Sequence, residues 1–437
     1  MSHVPNITVP DPSRPFSTFC LALGQGSLAD PPGQAGRAWL TAQMVLRGAE
    51  GLSRREISTT IEGLGSVCDL SVGRDHTMLW ADALTRQREP LLACLDRVLG
   101  APTFPEAELD KLRRETLAEL EAVRDDDASL GMRFFVRALY GSHPYGRPLK
   151  GTERSLPALT RDNLVACFRS WSQEGALVGQ SGDVDAPSGE ALAARLTRHL
   201  PARSTSGGAA PIPTFTPPEK LGGWKVILVD KPERTQTQVF MGHVALAGLG
   251  AHHPDWTALQ VGQTPFGGTF TSRLSHEIRE KRGWSYGAWS QVTADQRLGT
   301  FMMRFYPATK DTLPALQLTD ELLRAYLADG PSDAELDAAQ ANLQNSFVFT
   351  VDTASRRLSE LVSTRLLGHP DSWLDGTVDR LRQVTHADAT RAMRAHVSAD
   401  DLVVTIVCSA RELEKELAAW PRVKSLEVID WKTPLEG

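Results

Sequence analysis

Three landmarks in the first half of this chain return in the second, in the same order and at nearly the same distance. Phe104-Pro105 followed by Ala107-Glu108-Leu109-Asp110 reappears as Pro331 followed by Ala334-Glu335-Leu336-Asp337. Leu139-Tyr140-Gly141-Ser142-His143-Pro144 reappears as Leu366-Leu367-Gly368-His369-Pro370, and Leu159-Thr160-Arg161-Asp162 as Val384-Thr385-His386-Ala387. The offsets are 227, 226 and 225 residues. Solenoid units recur every ~20–50 residues, so a repeat of this length implies two similar domains. Residues 201–218, rich in proline, glycine and small polar side chains, make a poor core and read as an extended connector. The expected division is a first domain at 1–202, a linker at 203–222 and a second domain at 223–437.

Each half mixes strands with long helical patterns. Trp224-Lys-Val-Ile-Leu-Val-Asp230 and Thr237-Gln-Val-Phe-Met-Gly242 are β-rich runs. Leu109, Leu112, Thr116, Leu117 and Leu120 keep helical spacing, as do Leu358, Leu361, Val362 and Arg365. Strands followed by runs of helices predict an α+β fold whose sheets are covered on one face. A net charge of −6 gives no electrostatic basis for binding nucleic acid. No run approaches the ~20 apolar residues that span a bilayer. The opening M-S-H-V-P-N-I-T-V-P-D-P lacks the cationic start and apolar core of a signal peptide. Five scattered cysteines, never spaced C-x-x-C, suit buried reduced thiols. Together these lead us to expect a cytoplasmic location, or a periplasmic one if an export signal has been removed.

Familiar catalytic constellations fail on inspection. His276-Glu277-Ile278-Arg279-Glu280 starts like H-E-x-x-H but ends in glutamate. Gly179-Gln180-Ser181-Gly182 lacks the spacing of a nucleophile elbow and reads as a strand-end turn. His252-His253 reads as a surface pair whose rings point different ways.

Two segments hold more information. Residues 36–44 read G-R-A-W-L-T-A-Q-M and open an amphipathic helix, preceded by Asp30-Pro31-Pro32-Gly33 and followed by Gly63-Leu64-Gly65. Residues 262–286 contain Gly262, Gly267 and Gly268, then Ser272-Arg-Leu-Ser-His-Glu-Ile-Arg279-Glu-Lys-Arg-Gly-Trp-Ser-Tyr286, with Arg279 and Tyr286 seven residues apart. Ser272 is placed to cap a helix running to Arg282, with Leu274 and Ile278 on its core side. Gly283 offers the left-handed residue that ends it. Trp284-Ser285-Tyr286 then leaves as a strand and folds Tyr286 back beside Arg279. Taken alone, Arg279 is one charge on an exposed E-I-R-E-K-R face.

Both segments, with the duplication, resemble the pitrilysin-type zinc peptidases, the family of insulinase and the mitochondrial processing peptidase. The resemblance implies two homologous α/β-roll domains joined by a linker and forming half of a clam-shell chamber. In that family the first helix carries His-x-x-Glu-His, which sets two imidazoles on one face of zinc and a glutamate base beside the bound water. Trp39, Ala42 and Gln43 stand at those positions here. The third ligand is a glutamate on a later helix, and Glu119, with 75 residues between it and Gln43, falls there. Glu119 is then expected as a solvated or ion-paired helical residue near Arg114 or Arg124. No metal is expected in this chain.

The resemblance also implies roles for the second segment. Arg279 and Tyr286 match the family's arginine and tyrosine, which bind the substrate carbonyl and the oxyanion at a zinc site on the facing domain. Gly267, Gly268 and Phe270 match its substrate-binding loop. A chain without the metal ligands but with that pair is expected to be the non-catalytic subunit of a heterodimeric zinc peptidase. Its partner would carry His-x-x-Glu-His and the zinc, and the substrate would be a peptide or unfolded polypeptide. The alternative is a scaffold or peptide-holding chain of the respiratory core-protein kind, with no part in proteolysis.

Overall fold

The computed structural model describes residues 4–203, 214, 216 and 222–434, so most of the expected linker lies outside the described residues. Eleven strands build two large sheets: β1 (Asn6–Pro10), β2 (Phe16–Leu23), β3 (Val67–Val72), β4 (Thr77–Leu84), β5 (Leu177–Gly182), β6 (Trp224–Asp230), β7 (Gln238–Ala245), β8 (Ala288–Ala294), β9 (Gly299–Phe305), β10 (Val403–Cys408) and β11 (Val423–Asp430). The first sheet runs β1-β5-β2-β4-β3, and the second runs β11-β6-β10-β7-β9-β8. With β11 set aside, the two orders match strand for strand. Pairing directions match as well: β1 lies parallel to β5 and β6 to β10, and the other shared neighbours are antiparallel. The duplication read from short sequence echoes is therefore a duplication of sheet topology.

Six of the helices carry the residues of interest: α1 (Arg37–Val45), α2 (Glu106–Ala122), α3 (Asp127–Tyr140), α4 (Trp256–Gln263), α5 (Asp333–Val348) and α6 (Ala354–Leu366). Alternation along the central strands sends successive side chains to opposite faces. Phe19, Leu21 and Val178 join the helices of the first half, while Cys20, Ala22 and Leu177 point the other way. Val226, Leu228 and Met241 do the same in the second half, with Ile227, Val229 and Phe240 turned opposite.

That opposite face was expected to be open, and it is covered. The cover is exchanged between the halves. Helix α3 of the first half lays Leu130, Phe134, Phe135 and Leu139 on Ile227, Val229, Phe240, Val403 and Val407 of the second sheet. Helix α6 of the second half lays Leu358, Leu361 and Val362 on Ile7, Cys20, Ala22 and Leu177 of the first. Each fully buried side chain of this kind stabilises by roughly 1.5–3 kcal/mol, so the exchange makes one cooperative body of the two halves. A glycine sits at each seam. A Cβ on Gly131 of α3 would lie 2.6 Å from the Phe240 ring, and one on Gly179 of β5 would lie 2.8 Å from Leu358 Cδ1.

Candidate functional site

Helix α1 starts at Gly36, whose φ of 90° favours glycine. Its first turn is held by the buried Asp30, which accepts from the backbone N–H of Gly36 at 3.0 Å and of Ala38 at 2.9 Å. Leu40, Ala42, Met44 and Val45 face the core and are fully buried. Trp39 and Gln43 are half-buried. The Gln43 side-chain amide donates to the Leu70 carbonyl on the edge strand β3 at 2.7 Å. Glu119, on α2, is exposed and bound to Lys150 Nζ at 2.7 Å. The same ammonium lies 5.5 Å from the centroid of the Trp39 ring. The ion pair expected for Glu119 is therefore present, but its partner is Lys150 rather than Arg114 or Arg124. Arg124 pairs with Glu153 at 2.6 Å.

This donor set does not fit zinc. Tryptophan offers an N–H and no lone pair, alanine offers nothing, and Gln43, whose NH2 is anchored on the Leu70 carbonyl, offers only a neutral amide oxygen. Zinc sites take three or four N, S or O ligands, and the one carboxylate here already faces a cation. Lys150 is a residue that sequence reasoning missed. It lies outside every helix and is drawn in by the carboxylate and the indole together.

The second segment is built differently from its sequence expectation. The glycine-containing stretch is not a loop: α4 continues directly into a π-helical turn, Thr264–Gly268. Gly267 is buried, and a Cβ there would lie 2.3 Å from Ser290 Oγ on β8. Its need for glycine comes from helix–strand packing, and it is not open to a substrate backbone. Gly268 is exposed, as is Phe270. Ser272 does not cap; its hydroxyl donates to the Thr269 carbonyl at 2.6 Å. A short helix, Arg273–Ser275, then passes into a second π-helical turn, His276–Lys281. Single π turns are uncommon and are found often at functional sites. Leu274 and Ile278 are fully buried as expected, and Gly283 ends the turn with φ +63°. Trp284 to Tyr286 are irregular; the strand begins at Ala288.

The turn is anchored from below. Arg273 grips Glu335 of α5 through two bonds of 2.7 and 2.6 Å and donates to the Gly330 carbonyl, with its guanidinium 4.8 Å from the Tyr326 ring centroid. The remaining charges of the exposed face pair among themselves: Lys281 and Arg282 with Glu277, and His276 with Glu280. Arg279 takes no part in this. Its guanidinium carbon lies 3.8 Å from the Phe270 ring centroid and 5.6 Å from that of Tyr286, and it forms neither hydrogen bond nor ion pair with any described residue. Phe270 is 63% and Tyr286 80% exposed. The structure thus brings Phe270, Arg279 and Tyr286 together as a guanidinium lying over two aromatic rings, its N–H groups without a partner among the described residues, beside an exposed phenol. Such a group can donate to a carbonyl or to an anionic oxygen. The anchor Arg273–Glu335 was not legible in the sequence, because its partners lie 62 residues apart.

Comparison with known proteins places both segments in one family. The insulinase model of peptidase family M16 matches residues 7–153, and the model of the M16 peptidase inactive domain matches 158–343. An uncharacterized zinc protease of Mycobacterium tuberculosis is 27% identical over 376 residues, covering 85% of this chain and 84% of the relative. A non-peptidase homolog of Helicobacter pylori is 22% identical over 417 residues, covering 94% and 93%. A crystal structure of an M16 peptidase inactive domain from Pseudomonas fluorescens superposes with a TM-score of 0.83 at 26% identity, covering 92% of this chain and 94% of that one. Two matched models of one family, relatives along most of the length and the same duplicated fold lead to one conclusion: this chain belongs to the M16 (insulinase, pitrilysin) peptidase family, as a member without that family's metal-ligand set.

Proposed function

We propose that this chain is the non-catalytic subunit of a two-subunit zinc peptidase. The partner is a related chain that carries His-x-x-Glu-His and the zinc. This chain closes the chamber and presents Arg279 and Tyr286 to the carbonyl of a peptide or unfolded polypeptide bound at the partner's metal. The observation that carries the reading is the state of Arg279: in a face crowded with paired charges it is the one left unpaired among the described residues, its guanidinium 3.8 Å from the Phe270 ring centroid and 5.6 Å from that of Tyr286, on a π-helical turn. When water attacks the scissile carbonyl, negative charge grows on its oxygen. Donors already aimed at that position are worth ~2.7–4 kcal/mol each, or ~10²–10³ in rate.

The test is reconstitution with the partner from the native source. The chain alone is expected to cleave no peptide, and the complex to cleave peptide in a chelator-sensitive way. Tyr286→Phe should lower turnover of the complex by ~10²-fold with assembly unchanged. Full activity of that complex would remove the oxyanion role and leave the scaffold reading.

A further inference from the structure

A cleft of about 240 Å³ opens between α3 and the segment 144–150, and its ten lining residues include five cations and no acid. The cations are Arg74, Arg133, Arg137, Arg147 and Lys150. In a chain with a net charge of −6 this is a local reversal of sign. Among the described residues, only two of the five have a carboxylate partner: Arg74 with Asp295 at 3.1 Å, and Lys150 with Glu119 at 2.7 Å. Arg147 and Arg137 donate to backbone carbonyls, of Asp30 at 3.1 Å and of Pro434 at 3.3 Å. The Arg133 side chain forms no hydrogen bond or ion pair with any described residue, although it is half-buried. Burial pulls its pKa below the ordinary arginine value; Glu153 opposes that and Arg124 adds to it. Partial burial weakens the hydration of a guanidinium and so strengthens its attraction for an anion.

The rest of the lining shows what kind of anion fits. Met132, Val136, Pro148 and Leu149 give the cleft apolar walls, and no aromatic ring lies among its lining residues. Single-stranded nucleic acid is held by cation tracks combined with stacking rings, which this cleft does not offer. Aliphatic side chains alternating with carboxylates match it.

We propose that this cleft binds the carboxylates of an acidic peptide segment, with Arg133 as the principal donor. The carboxylates come from glutamate and aspartate side chains or from a free C-terminus. The site lies wholly on this chain, so it goes beyond the subunit role and is testable without a partner.

The experiment measures anisotropy of labelled hexapeptides with the purified full chain. The probes are alternating leucine and glutamate, as free acid and as C-terminal amide, the same peptide with lysine for glutamate, and a thymidine oligonucleotide. The glutamate peptide is expected to bind, and more weakly as salt rises. Equal binding of acid and amide assigns the side-chain carboxylates, and loss on amidation assigns the terminus. Arg133→Gln should weaken binding about tenfold or more, since a hydrogen bond between charged groups is lost. Arg133→Lys should recover part of it. The melting temperature of Arg133→Gln should not fall, because an unpaired half-buried cation has been removed, and this separates a binding role from a structural one. Equal binding of the lysine peptide, an Arg133→Gln variant that binds as well as the parent, or binding of the oligonucleotide alone would overturn the proposal.

Discussion

Glu335→Gln tests how the Arg279 turn is held in place. In the folded chain the two Arg273 bonds draw the Glu335 carboxyl from 4.5 down to about 2, with partial burial opposing and Ser332 assisting. A carboxyl whose pKa is lower folded than unfolded contributes stability that is fully present above the unfolded value. That contribution is lost as pH falls from about 4.5 toward 2. At 1.36 kcal/mol per pH unit the ceiling is ~3 kcal/mol. Both side chains are about 30% exposed, at 29% and 30%, so solvent screens the pair and roughly 1–2 kcal/mol is the working figure. Glutamine at this position can still complete the capping box with Ser332 through its one oxygen, but its NH2 cannot accept from Arg273, so the variant reports the lost charge together with one of the two Arg273 bonds. Urea unfolding of parent and variant across pH 7 to 2.5 measures it. The expected gap is about 1–2 kcal/mol at neutral pH, closing as the carboxyl of the parent protonates. No gap at pH 7, or a gap that does not change with pH, would refute the anchoring argument.

Two further outcomes are expected from the geometry. Trp39→His, Ala42→Glu and Gln43→His together rebuild a zinc-ligand set with Glu119, but Lys150 still holds that carboxylate. Adding Lys150→Ala should tighten zinc about tenfold or more by isothermal titration, because a like charge ~4 Å away costs on the order of 2 kcal/mol even in water; equal affinity with and without Lys150 would show that it is not the obstacle. Gly131→Ala should destabilise by about 1–3 kcal/mol in chemical unfolding, because its Cβ meets a ring rather than a flexible chain end. Gly179→Ala should cost less, since Leu358 can rotate away; the reverse order would contradict the seam geometry.

Much of this architecture can be read in the sequence, and the reasons are physical. Duplicated helix starts and turns survive as short echoes because caps and turns demand particular residues, so the repeat is legible without knowing how the strands pair. The closeness of Arg279 and Tyr286 is signalled by a buried Leu274/Ile278 stripe and a left-handed Gly283, both local features. What could not be read is what depends on distant partners. Helices α3 and α6 begin 227 residues apart (354 − 127), the same offset as the sequence landmarks. Periodicity shows that each has an apolar face, and it does not show whose sheet that face meets. The π turns are likewise invisible to a 3.6-residue pattern, which they break by a single residue. Gly267 was expected to serve a ligand and instead serves Ser290, because glycine marks a close approach without naming what approaches.

The crossed placement of α3 and α6 bears on how such a chain is made and how it moves. During synthesis the side of the first sheet bearing Ile7, Cys20 and Leu177 lacks its cover until Leu358 and Val362 have left the ribosome, so the first half is not a finished domain on its own. Once both helices have crossed over, neither half can swing away without uncovering the other. In the proposed two-subunit complex, an opening that admits a polypeptide would come from this body moving whole against its partner.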